Sequence, residues 1–409
     1  MFNVILVTAT KVDRDVKKGE LGMRMAIRLK EGRRSTLAVA VAAAIAFSTP
    51  THAGDALLNE AVVFTGQVLF LETGVPGLII GATRGDETAV FGFGETFTGS
   101  GVAPDGDTLM RVGSITKVFT GAVLASMVAD GSLRLTDAAE QYLGDGVDIP
   151  AMGNRPVRLI DLATHTSGLP REVDRPAGPD DDPFSTLTAQ RYFDSLNQEP
   201  QLFAAGTAGL YSNFGFDVLA LALGRAAGKP YEQVLAERVL EPMGLSDTML
   251  VVPETENDRL MLGHGFEGEE LPDVPTPAVM AGASGLYSTA NDILKWLQWH
   301  SDRSSSDEAE MRLINHAAYV WRDGLDTVYG FDESGEMDAM SLGWVVMRPD
   351  GNRPLILQKA GGLQGMFLYH AFAPNRDVGV FVAINEFDFG ASAVIAEFAN
   401  DLIAQLAPR

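Results

Sequence analysis

The chain has 409 residues, room for two domains, and an ordinary globular composition without cysteine. The missing cysteine excludes disulfides, thiolate metal sites and a cysteine nucleophile. The formal net charge of −23 excludes the basic face that nucleic-acid binding needs, and none of the six histidines stands in a metal-ligand spacing, so neither metal nor cofactor is expected.

The N-terminal segment has the layout of an export signal. Arg24, Arg28, Lys30, Arg33 and Arg34 precede a short apolar run from Thr36 to Phe47, and small residues follow at Thr51 and Ala53. This predicts a secretory signal peptide cleaved after Ala53, and hence a periplasmic protein. The run is shorter than the ~20 residues a spanning helix needs. Translation is expected to start at Met23 or Met25. Arg33-Arg34 has the outline of a twin-arginine signal, with Thr36 where phenylalanine is usual. Residues 1–34 carry nine basic and four acidic side chains, so the cleaved chain would be at −28.

Apolar spacing then predicts a helix over 57–72 and a hairpin over 75–83 and 88–94 with its turn at Gly85-Asp86. A largely buried helix follows Gly113 and ends near Asp130-Gly131. A short helix over 159–164 runs into the loop Ser167-Gly-Leu-Pro170. Residues 171–184, rich in Pro, Asp and Arg, read as a surface loop. The pattern is helical from about 187 to 250, and Thr289 caps a helix over 289–299. Residues 302–311 are Ser- and acid-rich and are expected to be mobile. Four apolar runs, 342–347, 355–359, 366–372 and 378–384, read as strands, and 391–406 as a final helix. Strands at both ends and helices between predict an α/β (α+β) fold: an antiparallel sheet flanked by helices, with an inserted helical domain. The expected division is a leader over 1–53, a sheet domain from 54–165 and 281–409, and a mainly helical insert over 166–280.

Three motifs carry chemistry. Ser114-Ile-Thr-Lys117 is the only S-x-x-K in the chain. Serine needs a base within hydrogen-bond reach, and a lysine three residues on shares its helix face. Ser114 is expected in the first turn of that helix. Alone, the motif is equally an N-cap beside a solvated lysine. Tyr211-Ser-Asn213 is the only Y-x-N. Its phenol can relay a proton and its amide can hold a carbonyl, or it is a core tyrosine before a cap. Lys359-Ala-Gly-Gly362 ends an apolar strand. Glycines there let a substrate backbone lie along the edge, and the Gly362 and Ser114 N–H groups can form an oxyanion hole. Two lysines beside one tyrosine are expected to lower the pKa of all three.

The three motifs in this order resemble those of the serine active-site penicillin-recognising enzymes, in their class C β-lactamase-like branch. The similarity is narrowest to the AmpH-type D-alanyl-D-alanine carboxypeptidase/endopeptidases. It rests on Arg111-Val-Gly-Ser-Ile-Thr-Lys117, Leu162-Ala-Thr-His-Thr-Ser-Gly-Leu-Pro-Arg171, Tyr211 to Asp217, Gly285 to Thr289, Leu342-Gly-Trp-Val345 and Gln358-Lys-Ala-Gly-Gly362. The resemblance implies Ser114 as the acylated nucleophile, Lys117 as its base partner and Tyr211 as proton shuttle. It implies Asn213 as the binder of the substrate amide. Lys359, Ala360 and Gly361 would line the substrate site, with Lys359 supporting the tyrosine and the substrate carboxylate. His165 reads as structural, since no G-x-S-x-G surrounds a serine. The tryptophans 296, 299 and 344 read as packing residues.

One position departs from the pattern: Ala360 stands where the family usually has threonine or serine. The lost hydroxyl normally helps hold a substrate carboxylate. A hydrogen bond to a charged group is worth about 1.5–3 kcal/mol. Internal peptide cross-links or esters are therefore favoured over carboxylate-terminated substrates. The expected function is a penicillin-binding serine acyl-transfer hydrolase that cleaves D-Ala-containing peptidoglycan peptides, as D,D-carboxypeptidase and endopeptidase, through acyl-Ser114. The alternatives are a class C-type β-lactamase, a promiscuous esterase, or, in another class, a slow-turnover penicillin-binding sensor. Peptidoglycan stem peptides or β-lactams are the expected partners, with peripheral contact to the cell wall or inner membrane and no nucleic acid; the sequence leaves the oligomeric state open.

Overall fold

The structure is a computed structural model and describes residues 56–198, 201–306, 308–331 and 337–407. The expected signal peptide lies outside them. Twelve strands are described: β1 (Gly77–Arg84), β2 (Glu87–Gly94), β3 (Met110–Arg111), β4 (Ala208–Leu210), β5 (Tyr287–Ser288), β6 (Val320–Trp321), β7 (Thr327–Gly330), β8 (Ala339–Met340), β9 (Val345–Met347), β10 (Ile356–Leu363), β11 (Met366–Ala373) and β12 (Val378–Ile384). The α-helices are α1 (Ala56–Thr73), α2 (Thr116–Ala129), α3 (Leu159–Ala163), α4 (Ala189–Gln198), α5 (Asn213–Ala227), α6 (Tyr231–Leu235), α7 (Ala290–Ser301), α8 (Ala309–His316) and α9 (Phe389–Leu406).

Eight strands form one antiparallel sheet in the order β2-β1-β12-β11-β10-β9-β8-β6. The predicted hairpin opens the chain's share of it, and the four late apolar runs complete it. β11 and β12 are buried along their whole length. Covered on both faces, they read as near-continuous apolar runs rather than alternating ones. α1 and α9 pack on one face through Leu58, Val62 and Leu69 and through Ile395, Ala399 and Ile403. α2 and α7 belong to the core on the other face, together with α3, α5 and α6.

Caps end the helices where the sequence places them. Thr289 accepts from the Asp292 N–H at the start of α7, and Ser212 accepts from the Gly215 N–H at the start of α5. Two expectations change. The helical stretch expected to reach 250 breaks after α6: a π-type turn spans Ala236–Leu240, and residues 241–286 hold only short 3-10 turns. Residues 302–306 form hydrogen-bonded turns on Asp302, whose carboxylate accepts from Ser304 and Ser305.

Candidate active site

Ser114 sits between two close backbone approaches. Gly113 has φ +50, and a Cβ there would meet the Gly362 backbone at 2.8 Å. A Cβ on Gly361 would meet the Val112 carbonyl oxygen at 2.1 Å. Only glycine fits either position, so β10 lies directly against the serine turn. β9 pairs with β10 only at residues 356–358. From Lys359 onward that edge of the strand faces Ser114 instead.

The serine is not in an α-helix, as the spacing suggested. It lies in a 3-10 turn, Gly113–Ile115, that leads into α2. A 3-10 turn eclipses positions i and i+3, which brings Lys117 over Ser114 more directly than an α-turn would. The Lys117 Nζ lies 3.0 Å from Ser114 Oγ, 2.6 Å from Asn213 Oδ1 and 2.8 Å from the Ala283 carbonyl oxygen. The last two atoms can only accept. An ammonium donates to all three oxygens; the neutral amine, once formed, keeps two of these bonds and turns its lone pair to the serine hydroxyl. Burial holds the Lys117 ammonium below its ordinary pKa; the Tyr211 phenol opposes this and the Lys359 charge adds to it.

Tyr211 donates its hydroxyl to Ser114 Oγ at 2.6 Å. Three cations ring its aromatic face: Lys117 Nζ at 4.9 Å, Lys359 Nζ at 5.0 Å and Arg171 at 4.7 Å from the centroid. His165 stacks on the same ring at 4.4 Å. The His165 Nδ1 accepts from the Ser212 N–H at 3.0 Å, which fixes its tautomer. Burial first, then Lys359, Lys117 and Arg171, keep this imidazole well below its usual pKa. It is a neutral spacer behind Tyr211, in line with the structural reading.

Ser114, Lys117, Tyr211, Asn213, Lys359, Ala360, Gly361 and Gly362 thus meet at one place. Lys117 and Lys359 are fully buried, and the Ala360 side chain is apolar at the wall of the cleft. Among the described residues no group of three His, Asp or Glu side chains could hold a metal. Trp296 and Trp344 are fully buried packing residues.

Three residues around the motifs escaped the sequence reading. Glu172 accepts from the Asn213 side-chain amide, so that amide is held at both ends. Arg171 covers Tyr211. Asp217 accepts from Tyr192 and from the Ala283 N–H, and so braces the peptide that receives Lys117. Burial pushes the Asp217 carboxyl up to about 8, against its hydrogen bond from Tyr192 and the nearby Lys117 charge. The signal for Asp217 was an isolated acid four residues after Asn213 in an otherwise apolar helix. Arg171-Glu172 gave none beyond their place after a recognised loop.

Known proteins share this chain's sequence and fold over most of its length. The chain is 33% identical over 344 residues to the Escherichia coli D-alanyl-D-alanine-carboxypeptidase/endopeptidase AmpH, covering 83% of this chain and 86% of that protein. It is 25% identical to an Escherichia coli β-lactamase, over 84% and 92% of the two chains. A crystal structure of a Yersinia pestis β-lactamase/D-alanine carboxypeptidase complexed with citrate superposes with TM-score 0.78 at 32% identity, over 86% of this chain and 98% of that one. A class C β-lactamase structure shares the fold at TM-score 0.71 and 20% identity, over 88% of this chain and 99% of that one. Fold and relatives define a serine acyl-transfer hydrolase. The chain belongs to the β-lactamase family, whose profile matches residues 53–405.

Proposed function

We propose that the chain cleaves D-Ala-containing peptidoglycan peptides through an acyl-Ser114 intermediate, with endopeptidase and esterase character ahead of carboxypeptidase. The observation that carries the chemistry is the serine oxygen placed 3.0 Å from Lys117 Nζ and 2.6 Å from the Tyr211 hydroxyl. Neutral Lys117 takes the serine proton as Oγ attacks the acyl carbon. Tyr211, on the same oxygen, passes a proton to the departing group. The N–H groups of Ser114 and Gly362 receive the developing oxyanion. Water then cleaves the acyl-serine ester with the same groups reversed.

The relative named for D-alanyl-D-alanine carboxypeptidase/endopeptidase activity supports the peptide substrate. Ala360 supports the ordering, since no side-chain hydroxyl stands there for a terminal carboxylate. The β-lactamase alternative remains within the same chemistry. A periplasmic location fits the start of the family match at residue 53, where the leader is expected to end. Among the described residues no helix is long and apolar enough to cross a membrane. The domain division belongs to the same reading: an insert over 166–280 brings Tyr211 and Asn213 to a serine carried by the sheet-bearing remainder.

Intact mass spectrometry over time, with penicillin and with muropeptides, tests the proposal on the full chain and on Ser114→Ala. We expect a covalent adduct that decays in the wild type and none in the variant. An unmodified wild type that leaves muropeptides uncut refutes it. An adduct that never decays turns the enzyme into a sensor.

A further inference from the structure

The motif residues use one side of the cleft. The cleft encloses about 590 Å³, and its other side is aromatic. β11 contributes Phe367 to that wall, and the chain entering α9 contributes Phe387 and Phe389. Phe387 is the hub: its ring meets Phe389 edge-on at 5.3 Å, Phe266 at 5.8 Å and Phe367 at 5.9 Å. It also lies against the proposed oxyanion strand, since a Cβ on Gly362 would come within 2.8 Å of the ring. Phe266 and Phe389 are 74% and 72% exposed. Rings of that size left in water beside a reactive serine are a surface for apolar ligand atoms.

The aromatic side itself gives a carboxylate no partner; the cations Arg171 and Lys359 lie on the motif side, against Tyr211. Ala360 has no hydroxyl. The Ser392 hydroxyl donates to the Phe389 carbonyl oxygen of its own helix. The N-terminus of α9 would ordinarily attract an anion. Asp388 occupies it instead, accepting from the Ala391 N–H at 2.8 Å. Among the described residues lining the cleft, Arg171 is the one charged side chain, and it comes from the loop after α3 and covers Tyr211.

We propose that this wall receives the leaving group, and that the leaving group it selects is uncharged and apolar: the alkyl or aryl alcohol of an ester. The inference rests on the acyl-Ser114 reading and favours its esterase side over its peptidase side. In the step it describes, the Ser114 Oγ–acyl bond forms and the acyl–alkoxy bond breaks. The serine proton goes to Lys117, and Tyr211 supplies one to the departing alkoxide, which leaves as the alcohol. Water later returns the acid.

The test holds the acyl group constant and follows its release as N-acetyl-D-alanine, so that cleavage of the masking ester is not counted. N-acetyl-D-alanyl-D-lactate ends in a free carboxylate; its methyl, propyl and benzyl esters mask that charge with growing apolar groups. On the full chain we expect masking to raise kcat/KM at least tenfold. Further lengthening should raise it about fourfold per methylene. Phe387→Ser and Phe389→Ser should flatten the dependence on alkyl size; Phe389 is exposed enough that its variant keeps the fold. A free acid hydrolysed as fast as its esters overturns the inference, as does a size dependence that survives both variants. Mass spectrometry of Ser114 separates the two levels: no acyl adduct from any ester or from penicillin brings down the acyl-transfer reading as well, whereas adducts with the acid preferred bring down only the aromatic selection.

Discussion

The two faces of the central sheet are built to different rules. Under α1 and α9 the sheet presents Val380, Val382, Ile384 and Ala371, and the buried hydroxyl of Tyr369 is paired with Asn400 at 3.0 Å. One residue along, the opposite face presents Lys359 and His370 as register partners, close to Lys117, His165, His300 and His316. The first face gathers apolar area. The second keeps ionisable groups out of water, where burial drives them towards neutrality. Neighbouring positions on one strand therefore serve stability and chemistry separately.

The largest way to break that comparison is at Lys117. Lys117→Met should cut acylation by at least ~10³-fold, and Ser114→Ala should abolish the adduct altogether. Stability should fall by no more than about 1–3 kcal/mol in Lys117→Met, because relief of the amine's desolvation offsets the Asn213 and Ala283 oxygens left unpaired. A melting curve beside the mass assay reads both. Ile403→Ala on the other face should do the reverse: about 2–5 kcal/mol of stability lost in urea titration, with kcat per folded molecule unchanged.

Ala360→Thr moves one apolar-face position towards the polar rule. It should improve KM for a D-Ala-D-Ala peptide by one to two decades, the about 1.5–3 kcal/mol of a hydrogen bond to a charged group, and leave uncharged esters unaffected.

The last test is the acid sensitivity of the polar face. Burial lowers His300 and His165 well below the ordinary value and His316 and His370 to about 3. Below pH 6.5 the unfolded chain binds protons that these folded imidazoles refuse, so stability falls as pH falls from 6.5 towards 3. Each histidine contributes a slope of about 1.4 kcal/mol per pH unit. His370→Phe should remove one such share from the urea midpoint's pH dependence between pH 6.5 and 5. An unchanged slope would mean that His370 takes up a proton in the folded state.

The sequence made the sheet and the motifs legible because both are local patterns. Four apolar runs announced β9 to β12, and each motif spans three or four residues. The 3-10 turn at Ser114 was hidden, because a periodic pattern places a residue on a face without fixing the last turn. The short pairs β3–β5 and β4–β7 carry too few residues for any period. Glu172 on Asn213 and Asp217 behind Ala283 depend on contacts between distant segments. The aromatic wall was equally silent: Phe266, Phe367, Phe387 and Phe389 are scattered over three segments that only the fold assembles.

The pairing of β1 with β12 joins positions far apart in the chain; the Gly77 N–H donates to the Asn385 side chain 308 residues away. The nucleophile is made early and Gly362 late. Long-range pairing of this kind folds slowly, since distant ends must meet before their contacts reward them. Ser114 therefore meets Gly362, its proposed oxyanion partner, only after nearly the whole described chain has emerged. A nascent polypeptide carries the serine, but the proposed site is incomplete until the last strands have docked.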